Sequence, residues 1–326
     1  MYEQLRLKQL RHAYSTQGWA MLIYYGILNV AVMIVMFVDA FAQAFSMASS
    51  GQEMNVEQMT EDMIANSGWG YFIAIGVGLF VLLLWKKPKF CFGTIWTRGN
   101  PMKFGSFFGI FVIFVSAQLG AQLLYILLES LFNLFGFSVA QSMESASAQM
   151  DSLSMFLYIG LGAPISEEIL FRGLVLRSME PYGKKFAIFA SALMFGLYHG
   201  NIIQIPFAFV VGLVLAYVTI EYNIGWAILL HLFNNLILSD TLMRLTAHLP
   251  EPWPDLSFWL LIIGCTLLAV IVLIVKRKQI VAWLHYYQDD PQCKKAFWGA
   301  PGIITLVVIL GVMTVFATFT MLTPVG

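Results

Sequence analysis

The stretch LSFWLLIIGCTLLAVIVLIV, residues 256–275, carries no charged side chain and is followed directly by KRK at 276–278. A helix needs roughly 20 apolar residues to cross the ~30 Å hydrocarbon core of a bilayer, so this stretch predicts a transmembrane helix that ends at a basic loop. The whole chain has the same character, with 59% apolar and 11% charged residues, whereas soluble domains carry roughly 25% charged residues. We therefore expect an all-α, polytopic membrane protein. An outer-membrane barrel would show alternating segments of ~10 residues instead.

Further apolar runs predict eight or nine transmembrane helices. The nine segments lie at about 19–42, 69–85, 105–128, 153–175, 187–204, 206–221, 225–239, 256–275 and 302–322. If the N-terminus is cytoplasmic, every Lys and Arg except Arg244 lies on or toward the cytoplasmic side, which is the asymmetry typical of membrane proteins. The first span is too long for the apolar core of a signal peptide, so we expect a retained anchor. The expected location is a bacterial plasma membrane, with multiple passes.

Polar residues divide the chain into three zones. Residues 1–150 hold N-terminal spans and a polar outer loop, and residues 241–326 hold C-terminal spans joined by a basic cytoplasmic loop. Residues 151–240 hold four closely spaced spans and the ionisable groups that lie deep in them. Charge within hydrocarbon costs several kcal/mol and is rare without a role. We therefore expect the catalytic membrane core in 151–240.

The segment APISEEILFRG, residues 163–173, carries two adjacent glutamates. Arg172 follows Glu168 by four residues, which places both on one helix face in the favourable order. Glu168 is therefore predicted to pair with Arg172, and Glu167 is left without a local partner. A carboxylate free of an ion pair in a partly dry site suits a general base. The alternative is that all three residues form a structural ion cluster.

Two of the five histidines lie in spans. His199 ends the sequence FGLYH, four residues after Phe195, and His231 begins HLFNN, four residues before Asn235. An amide at that spacing can orient the imidazole or donate to an oxyanion. The alternative reading is that each histidine makes a polar contact between helices.

Together, a glutamate, two imidazoles and an amide donor form a workable hydrolytic set. The carboxylate can activate water, while the imidazoles or a metal stabilise developing charge. The three cysteines show no zinc-site spacing. No HExxH motif is present, and no serine lies in a nucleophile-elbow context.

The ordered motifs EExxxR, FxxxH and HxxxN, over roughly 160–240, resemble the CPBP family. This family groups CAAX-processing endopeptidases, bacteriocin-processing proteins and Abi-type immunity proteins. The resemblance implies an intramembrane endopeptidase. In it, Glu167 matches the water-activating glutamate, His199 and His231 match the active-site histidines, and Asn235 matches the oxyanion-binding residue. The matching supporting residues are Glu168, Arg172 and Phe195.

The sequence leaves the metal dependence of the site open. Glu167, His199 and His231 are a set that can hold Zn²⁺ with one position left for water, as in a metalloprotease. They can equally work without metal. No other cofactor is expected.

The leading hypothesis is a hydrolase resembling the CAAX prenyl proteases, which cleaves a membrane-associated or peptide substrate near the cytoplasmic face. The expected partners are a peptide or protein substrate and the lipid bilayer, with no nucleic acid. One alternative is a non-enzymatic immunity or scaffold protein that binds a peptide or partner. Another is a proton-coupled transporter, because buried Glu and His also form proton relays.

Overall fold

The computed structural model describes residues 2–50, 56–146, 150, 152–250 and 252–325. In this part of the chain, helices form nearly all of the regular structure. They are α1 (Tyr2–Ser50), α2 (Val56–Trp85), α3 (Phe104–Asn133), α4 (Ala140–Ala146), α5 (Leu153–Tyr182), α6 (Lys184–Tyr198), α7 (Gln204–Glu221), α8 (Ile224–Phe233), α9 (Leu242–Thr246), α10 (Trp253–Tyr286), α11 (Cys293–Trp298) and α12 (Pro301–Thr320). Short strands β1 (Phe137–Ser138) and β2 (Thr323–Pro324) pair antiparallel.

Seven of the described helices are long and apolar enough to cross a membrane. The helices α6 and α8 are shorter and correspond to the predicted segments 187–204 and 225–239. Each predicted span therefore has a helix at its position. The expected all-α, polytopic architecture is confirmed, and the protein is an integral, multi-pass membrane protein.

Local sequence signals set the ends of the helices in residues 151–240. The Ser152 side chain accepts a hydrogen bond from the Met155 backbone N–H (3.2 Å) at the start of α5, and Asn223 caps α8 in the same way. Such caps satisfy N–H groups that a helix start leaves without partners. After His199, Gly200 adopts a φ of 62°, a left-handed conformation that favours glycine and ends α6.

The helix α5 is not a uniform α-helix. It contains two π-helical segments, Tyr158–Gly162 and Glu168–Leu176, which flank the short α-helical piece Ala163–Glu167. Single π-turns inside helices are frequent at functional sites, because they change which side chains share a face. Here the change of helix type falls between Glu167 and Glu168.

Residues 151–240 are enclosed by helices from both ends of the chain. The helix α1 packs against α2 and α12, α6 packs against α7, and α10 packs against α3. The main core joins residues of α1, α5, α6 and α12, among them Tyr24, Phe171 and Phe195, each at most 1% exposed. The closest helix approach in this core involves Gly18 of α1, where an added Cβ would meet the backbone of Gly302 in α12.

We predict that Gly18→Ala lowers the free energy of unfolding by about 1–3 kcal/mol or more, since 1–3 kcal/mol is the typical cost of overpacking. The added Cβ would meet backbone atoms, which cannot move aside as a flexible side chain can. Gly26→Ala, in the same helix, is the matched control: an added Cβ there meets nothing within 4 Å. The control should be neutral or gain about 0.5–1 kcal/mol from helix propensity. Thermal unfolding in detergent measures both. Equal melting temperatures for the two variants would contradict this packing.

Candidate active site

The predicted pairing of Glu168 with Arg172 is present in α5. Arg172 Nη1 lies 3.1 Å from Glu168 Oε1, and both side chains are fully buried. Arg172 Nη2 also donates to the backbone carbonyl of Gly212 in α7 (3.4 Å). A buried charge left without its partner costs about 3–5 kcal/mol, so this pair fixes the positions of both residues.

His231 of α8 lies between the two glutamates. Its Nδ1 is 2.8 Å from Glu168 Oε1, and its Nε2 is 3.8 Å from Glu167 Oε2. With the Glu168 carboxylate accepting, His231 Nδ1 is the donor in this contact. The Nε2 atom then faces Glu167, so one imidazole connects the buried ion pair to the second glutamate.

His199 is oriented by its own helix. Its Nδ1 lies 2.8 Å from the Phe195 backbone oxygen, one turn earlier in α6. A carbonyl oxygen only accepts, so Nδ1 carries the proton and Nε2 is left as an acceptor in the neutral ring. Both site histidines therefore have Nδ1 engaged by the protein and Nε2 available for chemistry.

Phe195 lies against both imidazoles and the Arg172 guanidinium. Its ring stands edge-to-face against the rings of His199 (4.8 Å between centroids) and His231 (5.7 Å). The guanidinium carbon of Arg172 lies 4.2 Å from the centre of the same ring, a cation–π contact. With 1% exposure, Phe195 is a fixed apolar contact for three polar groups.

Asn235 is held by a chain of amides. Its Nδ2 donates to the backbone oxygen of Ile159 in α5 (2.9 Å), and its Oδ1 accepts from Asn234 Nδ2 (3.1 Å). Gln118 of α3 in turn donates to Asn234 Oδ1 (2.9 Å). An amide nitrogen carries two hydrogens, so the Ile159 contact leaves one Asn235 N–H for another acceptor.

Sequence reasoning missed the tyrosines around Glu167. Tyr24 of α1 lies beside Tyr198, with 6.3 Å between the ring centroids, and Glu167 acts electrostatically on Tyr24, Tyr158 and Tyr198. Tyr24 is far from the motifs in sequence, so no spacing pattern could have indicated it. Tyr198 directly precedes His199, and that adjacency was the one available signal.

The possible three-residue metal site is not found. Glu167, His199 and His231 offer donor atoms that Zn²⁺ accepts. Across the described ranges, however, no group of three or more His, Cys, Asp or Glu side chains is arranged to hold a metal ion.

His199 lies far along α6 from the basic end of that helix. His199 caps the C-terminal end of α6, which begins at the basic residue Lys184 and is 15 residues long. At about 1.5 Å per residue, this places His199 about 22 Å from the basic end of its helix.

Residues 149–237 match the family described as type II CAAX prenyl endopeptidase, Rce1-like. The matched segment covers α5 to α8 and contains every residue of the three motifs. No curated protein and no solved structure matches the chain. Residues 149–237 are thus similar to a CAAX-type intramembrane endopeptidase domain, and this match supports the resemblance of the ordered motifs to the CPBP family.

Proposed function

We propose that this protein hydrolyses a peptide bond of a membrane-associated or peptide substrate, with Glu167 as the general base. Glu167 takes a proton from water, and the water oxygen bonds to the carbonyl carbon of the substrate. The tetrahedral intermediate then breaks its C–N bond, and the leaving amine receives the proton from Glu167. The products are one carboxylic acid and one amine, so the step needs no reactant besides water.

The remaining polar groups act on the water and the oxyanion. The Nε2 atoms of His199 and His231 accept hydrogen bonds from the attacking water and fix its position. Asn235, through its remaining N–H, donates to the oxyanion. Glu168, Arg172 and Phe195 are positioning residues, because they hold His231 and do not reach the water themselves.

The observation that carries this proposal is the difference between the two adjacent glutamates. Glu168 is fully buried and engaged by both Arg172 and His231, so it cannot exchange protons with substrate. Glu167 has a side chain that is 16% exposed and faces the Nε2 atom of His231. A general base needs this combination of partial water access and a nearby imidazole.

We predict that Glu167→Gln lowers proteolysis by about 10²–10⁴-fold, the usual contribution of a positioned general base. The amide keeps the shape of the side chain but cannot take a proton, so folding should be unchanged. The measurement is mass spectrometry of newly formed N-termini in membranes of cells that express each variant, which requires no known substrate.

Glu144→Gln, on exposed α4, is the matched control and should yield the same N-termini as the unaltered protein. Wild-type levels of cleavage in Glu167→Gln would overturn the mechanism. If neither the unaltered protein nor any variant produces new N-termini while a partner-dependent phenotype persists, the result supports the alternative of a binding or scaffold protein.

Asn235→Ala should reduce cleavage by about 10²–10³-fold, since that is the typical cost of one lost oxyanion donor. Asn29→Ala is a suitable control because Asn29 is exposed on α1 and donates only within its own helix, to the Tyr25 carbonyl (2.7 Å). The same N-terminal mass spectrometry reports both. A change below threefold for Asn235→Ala would remove Asn235 from the mechanism.

A further inference from the structure

Three side-chain amides form a continuous chain of hydrogen bonds that ends on one backbone carbonyl of α5. Gln118 of α3 donates from Nε2 to Asn234 Oδ1 (2.9 Å), and Asn234 Nδ2 donates to Asn235 Oδ1 (3.1 Å). Asn235 Nδ2 then donates to the Ile159 carbonyl (2.9 Å). Asn234 and Ile159 are each 8% exposed, so most of this amide chain is shielded from solvent. The chain therefore links α3 to α5 through the residue proposed to bind the oxyanion.

A proline explains why the Ile159 carbonyl is available as the end of this chain. Ile159 lies in the π-helical segment of α5, where the Ala163 N–H bonds to the Tyr158 carbonyl, five residues back. In the same pattern, the N–H for the Ile159 carbonyl would come from Pro164, and proline has no N–H. Asn235 supplies the missing donor.

That one carbonyl sets the direction of every bond in the amide chain. A carbonyl oxygen only accepts, so Asn235 must turn its nitrogen toward Ile159. Its oxygen then faces Asn234, which must present its own nitrogen there. The Asn234 oxygen is left facing Gln118, which must donate. The reverse order would bring the oxygens of Asn235 and Ile159 to hydrogen-bond distance of each other.

The same bonds keep the second N–H of Asn235 available as a donor. The Asn235 amide is held at both ends, its nitrogen by Ile159 and its oxygen by Asn234. A half-turn of the amide would exchange the nitrogen and the oxygen, and an oxygen atom repels an oxyanion that an N–H would stabilise. Hydrogen bonds in such a chain also strengthen one another, so the last amide affects the first.

We propose that Gln118 is a positioning residue for Asn235. It fixes the Asn234 amide and, through it, holds the Asn235 N–H as a donor to the oxyanion. The role of Gln118 rests on the proposed function, because it acts only through the oxyanion donor. Since Gln118 lies outside the matched residues 149–237, a helix from the N-terminal part of the chain also takes part in the chemistry.

The test begins with Gln118→Met, which keeps the length of the side chain and removes its N–H groups. Gln122→Met is the matched control: Gln122 lies one turn further along α3, is also partly exposed, and makes no side-chain hydrogen bond within the described ranges. At equal protein levels, mass spectrometry of new N-termini should show about three- to tenfold less cleavage for Gln118→Met, the range expected for one hydrogen bond. The control should cleave as the unaltered protein does.

The same change made in the Asn235→Ala background separates positioning from a merely structural role. Without the Asn235 amide, Gln118 has no oxyanion donor to hold, so Gln118→Met should lower cleavage by less than a further twofold. Gln118→Ala, read in both backgrounds, covers the case in which Gln118→Met folds poorly. An equal loss in the two backgrounds, or a loss below twofold in the unaltered background, would overturn the role of Gln118.

Glu167→Gln, measured in parallel, distinguishes this outcome from a failure of the proposed function. Full cleavage by Glu167→Gln would refute the general-base mechanism and the role of Gln118 with it. If Glu167→Gln loses cleavage while Gln118→Met retains it, only the role of Gln118 is refuted.

Discussion

The buried ion pair between Glu168 and Arg172 is the interaction on which the rest of the site depends. It places a carboxylate at 2.8 Å from His231 Nδ1 and so fixes the orientation of that ring. It also occupies one of two adjacent glutamates and leaves the other available for chemistry. In a membrane interior, where an unpaired charge is strongly unfavourable, this pair ties α5 to α8 and, through the Gly212 carbonyl, to α7.

The polar groups of the site are arranged around one aromatic ring. Phe195 contacts both imidazoles and the Arg172 guanidinium, so these polar groups share one fixed apolar contact. The change to π-helix falls at Glu168, and eight of the nine residues from Glu168 to Leu176 are buried. Glu167 lies at this boundary, where a carboxylate can meet both water and an imidazole.

Patterns of local spacing predicted much of this arrangement. The apolar runs located every span, and the four-residue offset between Glu168 and Arg172 predicted their contact, because i and i+4 residues share a helix face. The contact of His231 with Glu168 joins positions 63 residues apart in sequence, and the approach of Tyr24 depends on how α1 packs. Neither has a local signature.

The most direct test of this account is a double-mutant cycle of Glu168→Gln and Arg172→Met, read as the free energy of unfolding in mixed micelles. Each single change leaves one charge buried and unpaired, which should cost about 3–5 kcal/mol. The double variant removes both charges, so its loss should fall short of the sum of the single losses by more than about 1 kcal/mol. Losses that add to within about 0.5 kcal/mol would contradict the account, because residues in contact rarely behave so.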